Sequence, residues 1–192
     1  ITAVTSAFGG LVYIRIREGT ELGDVDVTFT GTTSAPLYVH GVTDAAQWNE
    51  TIRHYHAPWA ELVGDKVALT VRSSDIREVD VVALMEFWEQ AMDAAWYLTA
   101  IGDEGHRRER YAADPAIEGI AHSGYPVAMA EQWSTALVDI SEQAQNNWWT
   151  TFHELGHNFQ FAPSTWTGLQ EASCNLWALY VLEQAAGLEW KD

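Results

Sequence analysis

Apolar and polar positions along this chain change their period once, and the change divides it. In the stretches Phe8-Gly9-Gly10-Leu11-Val12-Tyr13-Ile14-Arg15-Ile16, Asp24-Val25-Asp26-Val27-Thr28-Phe29-Thr30, Ala35-Pro36-Leu37-Tyr38-Val39-His40 and Lys66-Val67-Ala68-Leu69-Thr70-Val71, apolar residues alternate with polar ones or follow turn signals. That is the two-residue period of strands with one buried face. From Val81 to Ala100 the period lengthens. Met85, Trp88, Met92 and Trp96 return to one side of a helix, and a stripe of that width reads as a core face. Ile101 to Arg110 is polar and loop-like, and Gln132 to Asn146 fits neither period. Helical patterning resumes at Asn147-Trp148-Trp149-Thr150-Thr151-Phe152, with Asn146 as its candidate cap. The pattern predicts an α+β fold in a single domain over residues 1–192, β-rich through residue 80 and mainly helical from residue 81.

The chain has 192 residues, enough for one substantial core and too few for two. No apolar stretch approaches the roughly 20 residues that a membrane span requires. A net charge of −17, with Lys66 and Lys191 as the only lysines, argues against a nucleic-acid partner, whose phosphates need cations. Cys174 is the sole cysteine, so an internal disulfide framework is excluded. Its expected place is a small buried position on the helix that carries Glu171. The chain opens on Ile1 with no basic-then-apolar leader, the expected mark of a processed or excised piece.

The chemistry concentrates in His153-Glu154-Leu155-Gly156-His157. Residues four apart share a helix face, so His153 and His157 can offer imidazole nitrogens to one ion. Glu154 stands beside that face, within reach of a water at the ion's open position, as a general base would. A catalytic zinc takes three protein ligands. Glu171 is the expected third, brought back by a turn that Pro163 and Gly168 bracket. Asn175, one helical turn after Glu171, is placed to accept the free ring N–H of a ligand histidine. Gly156, lacking a side chain, leaves room for a neighbouring backbone. The expected cofactor is Zn2+.

Upstream, His122-Ser123-Gly124-Tyr125-Pro126-Val127-Ala128-Met129 is a candidate for the sheet edge that receives an extended substrate, because Pro126 has no amide to donate and proline in a strand is confined largely to edges. Gly124 and Val127 are the expected substrate-binding positions there. Tyr125 is the candidate donor to the developing oxyanion, with His122 as its substitute and Tyr180 and Tyr111 as further alternatives. Ten tryptophans are many for this length. Most belong to the core by helical spacing, but Trp166 falls in the turn between the two site segments. A flat ring with one polar N–H suits the face of a sugar there.

The residues His153-Glu154-Leu155-Gly156-His157-Asn158-Phe159-Gln160, then Trp166, Gly168, Glu171 and Asn175, resemble the enhancin-like, mucin-degrading zinc peptidases of metallopeptidase family 60. Phe8 to Ile14, Ala57-Pro58-Trp59-Ala60-Glu61 and His122 to Pro126 resemble segments of the same family, so the likeness spans nearly the whole chain. Glu171-Ala172-Ser173-Cys174-Asn175-Leu176-Trp177 further resembles its animal channel-associated-factor branch. In some of those proteins the zinc motif looks degraded, whereas both histidines and both glutamates stand here. The resemblance implies a gluzincin fold, a mixed sheet followed by a zinc helix and a glutamate helix. It also implies an extracellular or cell-surface place and cleavage of O-glycosylated proteins such as mucins. Family domains continue well past the glutamate helix, whereas this chain ends 21 residues after Glu171, so a C-terminal subdomain is expected to be missing from it.

Three functions compete. The first is a zinc endopeptidase acting on glycoprotein or peptide substrates. The second is a peptidase-like interaction module without catalysis, for which Glu154 would have no use. The third is an aminopeptidase, which needs a group to hold a free amine; the short Gly-Ala-Met-Glu-type strand that supplies one in some gluzincins is not found. Oligomeric state has no signature in the sequence.

Overall fold

The computed structural model describes residues 6–17, 19–21, 23–102, 105–141 and 145–189. Six strands form one mixed sheet: β1 (Leu37–Val39), β2 (Trp59–Val63), β3 (Val67–Arg72), β4 (Glu109–Asp114), β5 (Ala121–His122) and β6 (Val127–Ala130). Their spatial order is β1-β2-β3-β4-β6-β5. β2 and β3 form an antiparallel pair and β5 lies antiparallel to β6, while β1–β2, β3–β4 and β4–β6 are parallel. The parallel β3–β4 step is made by α2 (Val81–Thr99), in keeping with the need of parallel strands for a long crossover.

Helix α2 starts where Asp80 accepts from the amides of Val82 and Ala83, and ends at Ala100 in the left-handed region (φ 56°). Its stripe of Met85, Trp88, Met92 and Trp96 is buried, as the spacing predicts. It packs on Leu62, Leu69, Tyr111, Val127 and Met129 of the sheet and on the helices that follow. Those are α3 (Gln145–Phe159), the single turn α4 (Gln170–Ser173) and α5 (Asn175–Ala186); a short α1 (Ala45–Glu50) caps itself through Asp44. Buried polar tips are satisfied across elements: Trp177 Nε1 donates to Ala95 O at 3.1 Å and Trp88 Nε1 to Leu137 O at 3.0 Å. Among the described residues no helix is long and apolar enough to cross a membrane.

The α+β class and the mixed sheet agree with the sequence pattern, but the strands are distributed differently. Half of them, β4 to β6, come after residue 81, where helix was expected to dominate. The stretches 8–16 and 24–30 form no strand among the described residues. Alternation fits a side-chain period but does not supply a pairing partner, and here apolar residues such as Ile14, Ile16, Val25 and Phe29 are exposed rather than laid on a core. Instead the first segment is tied to the sheet by single groups. Tyr13 donates its hydroxyl to Glu61, Arg110 bridges Tyr13 and Glu61, and Phe8 O accepts from Trp59 Nε1. Helix α3 begins at Gln145, so Asn146 lies within its first turn rather than before it.

Candidate metal centre

Helix α3 presents two faces. Trp148, Phe152 and Leu155 are buried against α2 and the sheet. Trp148 Nε1 donates to Asp139 O at 2.9 Å, and Tyr111 donates its hydroxyl to Thr151 O at 3.0 Å, which pins the helix to β4. That seating turns His153 and His157 toward α4. Their ring centroids are 4.8 Å apart and nearly perpendicular. Gly156 lies on the backbone of Cys174: a Cβ at residue 156 would stand 2.3 Å from the Cys174 carbonyl oxygen. Close helix approach, which the glycine permits, brings Glu171 over the two rings.

Three atoms then converge. His153 Nε2 and His157 Nε2 are 3.2 Å apart, and Glu171 Oε2 lies 3.2 Å from the first and 3.3 Å from the second. A tetrahedral zinc with bonds of 2.0–2.1 Å has ligand-to-ligand edges of about 3.3–3.4 Å, so the spacing of the three donors fits that ion. The far sides of the rings set their tautomer. His153 Nδ1 lies 2.6 Å from Asn175 Oδ1, and His157 Nδ1 lies 3.1 Å from Gln160 Oε1. An amide oxygen only accepts, so each Nδ1 must donate, and each neutral ring keeps its Nε2 lone pair for the centre. The amides are themselves held: Asn175 Nδ2 donates to Glu171 O at 2.8 Å, and Gln160 Nε2 to Gln170 O at 2.5 Å and Ser173 Oγ at 2.7 Å. Two lone pairs and a carboxylate oxygen aimed at one point repel one another unless a cation joins them.

Cys174 is the fourth group within reach, its Sγ 3.4 Å from His153 Nδ1 and 3.6 Å from Nε2. It is fully buried, and its thiol donates to Glu171 O at 3.2 Å. Burial, and then the Glu171 charge, pushes the free thiol up to about 11. The three donors that converge most closely are two imidazoles and one carboxylate, with Glu171 largely exposed (80%). Glu154 is half-buried beside His153 and has no hydrogen-bond or ion-pair partner among the described residues.

The upstream segment departs from expectation. The sheet edge on this side is β5, which includes His122, and β6 is interior, paired with β4 on one side and β5 on the other. Val127 is fully buried, so its side chain cannot meet a substrate. Gly124 has both backbone groups taken: its N–H donates to Asn158 Oδ1 at 2.9 Å and its carbonyl accepts from Asn158 Nδ2 at 2.8 Å. Its one N–H is therefore not free for an added strand. Pro126 does not mark the edge; it ends the corner that leads into an interior strand. Tyr125 is exposed at that corner, with the Arg107 guanidinium 4.2 Å from its ring centroid. The hydroxyl of Tyr111 is spent on Thr151 in the core, and Tyr180 stacks on Tyr97. His122 is exposed, its Nδ1 beside Ser123 O. Trp166 is exposed in the turn before α4, whereas Trp148 is buried. Two supporting residues went unassigned in the sequence. Gln160 had a readable signal, lying three residues after His157 just past the end of its helix; Asn158 had none, because its partner Gly124 is 34 residues away.

Comparison with known proteins agrees with this architecture. Residues 31–191 match the family profile described as peptidase M60, enhancin and enhancin-like. The chain is 37% identical over 193 aligned positions to a TRPM8 channel-associated factor homolog of Xenopus laevis, covering 97% of this chain but 21% of that protein. It is thus about a fifth the length of such relatives. A functionally unknown conserved protein of Bacillus anthracis superposes with a TM-score of 0.69 at 19% identity, over 78% of this chain and 34% of that one. The M60 catalytic domain of Clostridium perfringens ZmpC, solved with sialyl T antigen, superposes at 0.60 with 16% identity, over 78% and 32%. These two likenesses speak to the fold. With a profile matched over most of its length and the sheet, the two-histidine helix and the following glutamate all in place, the chain belongs to the peptidase M60 family of enhancin and enhancin-like proteins.

Proposed function

We propose that this domain is a zinc-dependent endopeptidase that cleaves peptide bonds in O-glycosylated, mucin-type proteins. The observation that carries the reading is the convergence of His153 Nε2, His157 Nε2 and Glu171 Oε2 within 3.2–3.3 Å, with both Nδ1 atoms anchored on amides. These three residues are the ligands, and Asn175 and Gln160 fix the rings that carry two of them. When bound, zinc supplies Lewis acidity, polarising a carbonyl and bringing the pKa of a coordinated water down to about 7.

The chain's own residues do the rest. Glu154, without a hydrogen-bond partner among the described residues and adjacent to the first histidine, takes the attacking water's proton and returns it to the leaving amine. Tyr125, exposed at the 123–126 corner, is the candidate donor to the carbonyl oxygen as charge develops. Trp166 offers an exposed indole on the glutamate side, suited to the C–H face of a sugar. The substrate class rests on the family and on a neighbour solved with sialyl T antigen. An extracellular or cell-surface place follows from that substrate class.

A second reading is a non-catalytic interaction module, favoured by one observation: relatives at 34–37% identity are named as TRPM8 channel-associated factors. Elemental analysis, combined with digestion of a mucin-type glycoprotein with and without chelator, separates the two. The enzyme holds about one equivalent of zinc and cuts only in its presence. Zinc without cleavage in the full-length protein favours the module. Equal cleavage after the O-glycans are removed leaves a general peptidase, and Trp166→Ala then has no glycan-dependent effect.

A further inference from the structure

Linked to helix α3 through Glu109 and Asn158, a guanidinium is held in place without using its outer donors. Arg107 Nε donates to Glu109 Oε1 at 3.2 Å, and its guanidinium lies over the Tyr125 ring at 4.2 Å. Both Nη groups have no hydrogen-bond partner among the described residues, and the Arg107 side chain is 57% exposed. The anchor beneath is rigid. Glu109 is buried, its second oxygen accepts from Asn158 Nδ2 at 3.2 Å, and Asn158 clamps both backbone groups of Gly124. Asn158 directly follows the ligand-bearing His157, so one short chain of contacts ties Arg107 and Tyr125 to the metal helix. His106, next to Arg107, is packed between Trp96 and Phe159 and holds the other side.

A guanidinium fixed at Nε and by stacking on an aromatic face presents a fork of parallel N–H donors at little further entropic cost. That fork matches a carboxylate bidentately. The setting sharpens the point. The chain carries −17, so its general field repels anions. An exposed cation in such a field acts locally. We infer that Arg107, stacked on Tyr125, is a carboxylate-recognition subsite of the substrate cleft, selecting substrates with an acidic group next to the cleaved region. This rests on the proposed peptidase reading for its placement in a cleft, and it names one chemistry with two sources: an acidic sugar on the glycan, or an Asp or Glu side chain of the peptide.

The test uses the full-length, zinc-loaded protein and two matched pairs of fluorescent peptides: one O-glycosylated with and without a terminal sialic acid, the other unglycosylated with Glu or Gln beside the scissile region. The wild-type protein is expected to prefer the acidic member of at least one pair by about 10-fold, the scale of a charge-assisted bidentate contact. Preference in the first pair identifies the sugar as source, and in the second the peptide. Arg107→Gln should bring the ratio to about one. Arg107→Lys, which keeps a cation beside Glu109, should fold normally and still lose most of it, since an ammonium has no fork. Arg108→Gln removes the same charge one residue away and should preserve the ratio. No acidic preference in either pair, or a preference that survives in Arg107→Gln or Arg107→Lys, overturns the inference. If nothing is cleaved, the same ratios are read from binding anisotropy. An acid preference lost with Arg107 then upholds the subsite while the peptidase reading fails.

Discussion

Replacing Gly156 with alanine should loosen the metal centre without touching a ligand. In an ordinary helix interior, Gly→Ala is stabilising by about 1 kcal/mol. Here the new Cβ would lie 2.3 Å from the Cys174 carbonyl oxygen, 2.9 Å from its carbon and 3.0 Å from its Cα. All three are backbone atoms, so no side chain can swing aside. Relief requires the Cys174 segment to retreat by about 1 Å to reach ordinary van der Waals contact. Overpacking of that kind costs about 3 kcal/mol, leaving a net loss of about 2 kcal/mol, or roughly 4–8 °C in Tm for a domain of this size. Cys174 sits between Glu171 and Asn175, so its retreat draws a ligand and a ring-orienting amide away from His153 together. Zinc affinity should fall about 10- to 100-fold, as for loss of a ligand's supporting contact. Thermal unfolding of the metal-free protein and competition for zinc against a chromophoric chelator measure the two effects separately. An alanine variant as stable as wild type, with unchanged zinc affinity, would show that the α3 contact with Cys174 does not set the ligand spacing.

Glu154→Gln should keep a full equivalent of zinc yet lose at least about 10²-fold in turnover, because a positioned proton acceptor is gone; loss of zinc with activity would instead make it a ligand. Asn175→Ala and Gln160→Ala should each weaken zinc binding about 10- to 100-fold by freeing one ring, and equal affinity in both, measured by the same competition, would refute the role of the amides. Zinc at 100 times its Kd should stabilise the protein by about 2.7 kcal/mol relative to chelator, read as a rise in Tm of roughly 5–11 °C; superimposable melts would remove the metal from the fold's energetics. Tyr125→Phe should lower kcat with zinc retained, and an unchanged rate in the active full-length protein would pass the oxyanion role to another donor.

The helical half of the molecule was legible because its signals are local. Met85, Trp88, Met92 and Trp96 share a face by spacing alone, and the same rule puts His153 over His157. Gly156 was readable as a close approach, although not which backbone it meets. The sheet was less legible. Residues 8–16 and 24–30 alternate as well as β3 does but form no strand among the described residues, since membership of a sheet depends on a partner's free backbone rather than on period. Trp59–Val63, by contrast, is nearly all buried and carries Glu61 in its middle. A central strand covered on both faces shows no alternation to find.

The same division runs through the site. His153, His157 and Glu171 were accessible because two lie on one helix and the third follows a short turn marked by Pro163 and Gly168. The corner at Gly124 was misread for a reason that is topological. Strand β6 lies between β4 and β5, although β5 precedes it in the chain, so a proline that looks like an edge marker stands just before an interior strand. What fixes that corner is Asn158, whose amide satisfies the Gly124 N–H and carbonyl at once and also touches buried Glu109. Nothing at residue 158 announces this, because an asparagine at the end of a histidine helix is equally able to bond its own backbone. Once the loop is clamped, the placement of Tyr125 and Arg107 follows from the metal helix itself. The ligand-bearing face of α3 and the Gly124 corner are therefore not independent features: a shift of α3 that disturbs His157 also moves Asn158, and with it the only exposed aromatic–cation pair tied to that corner among the described residues.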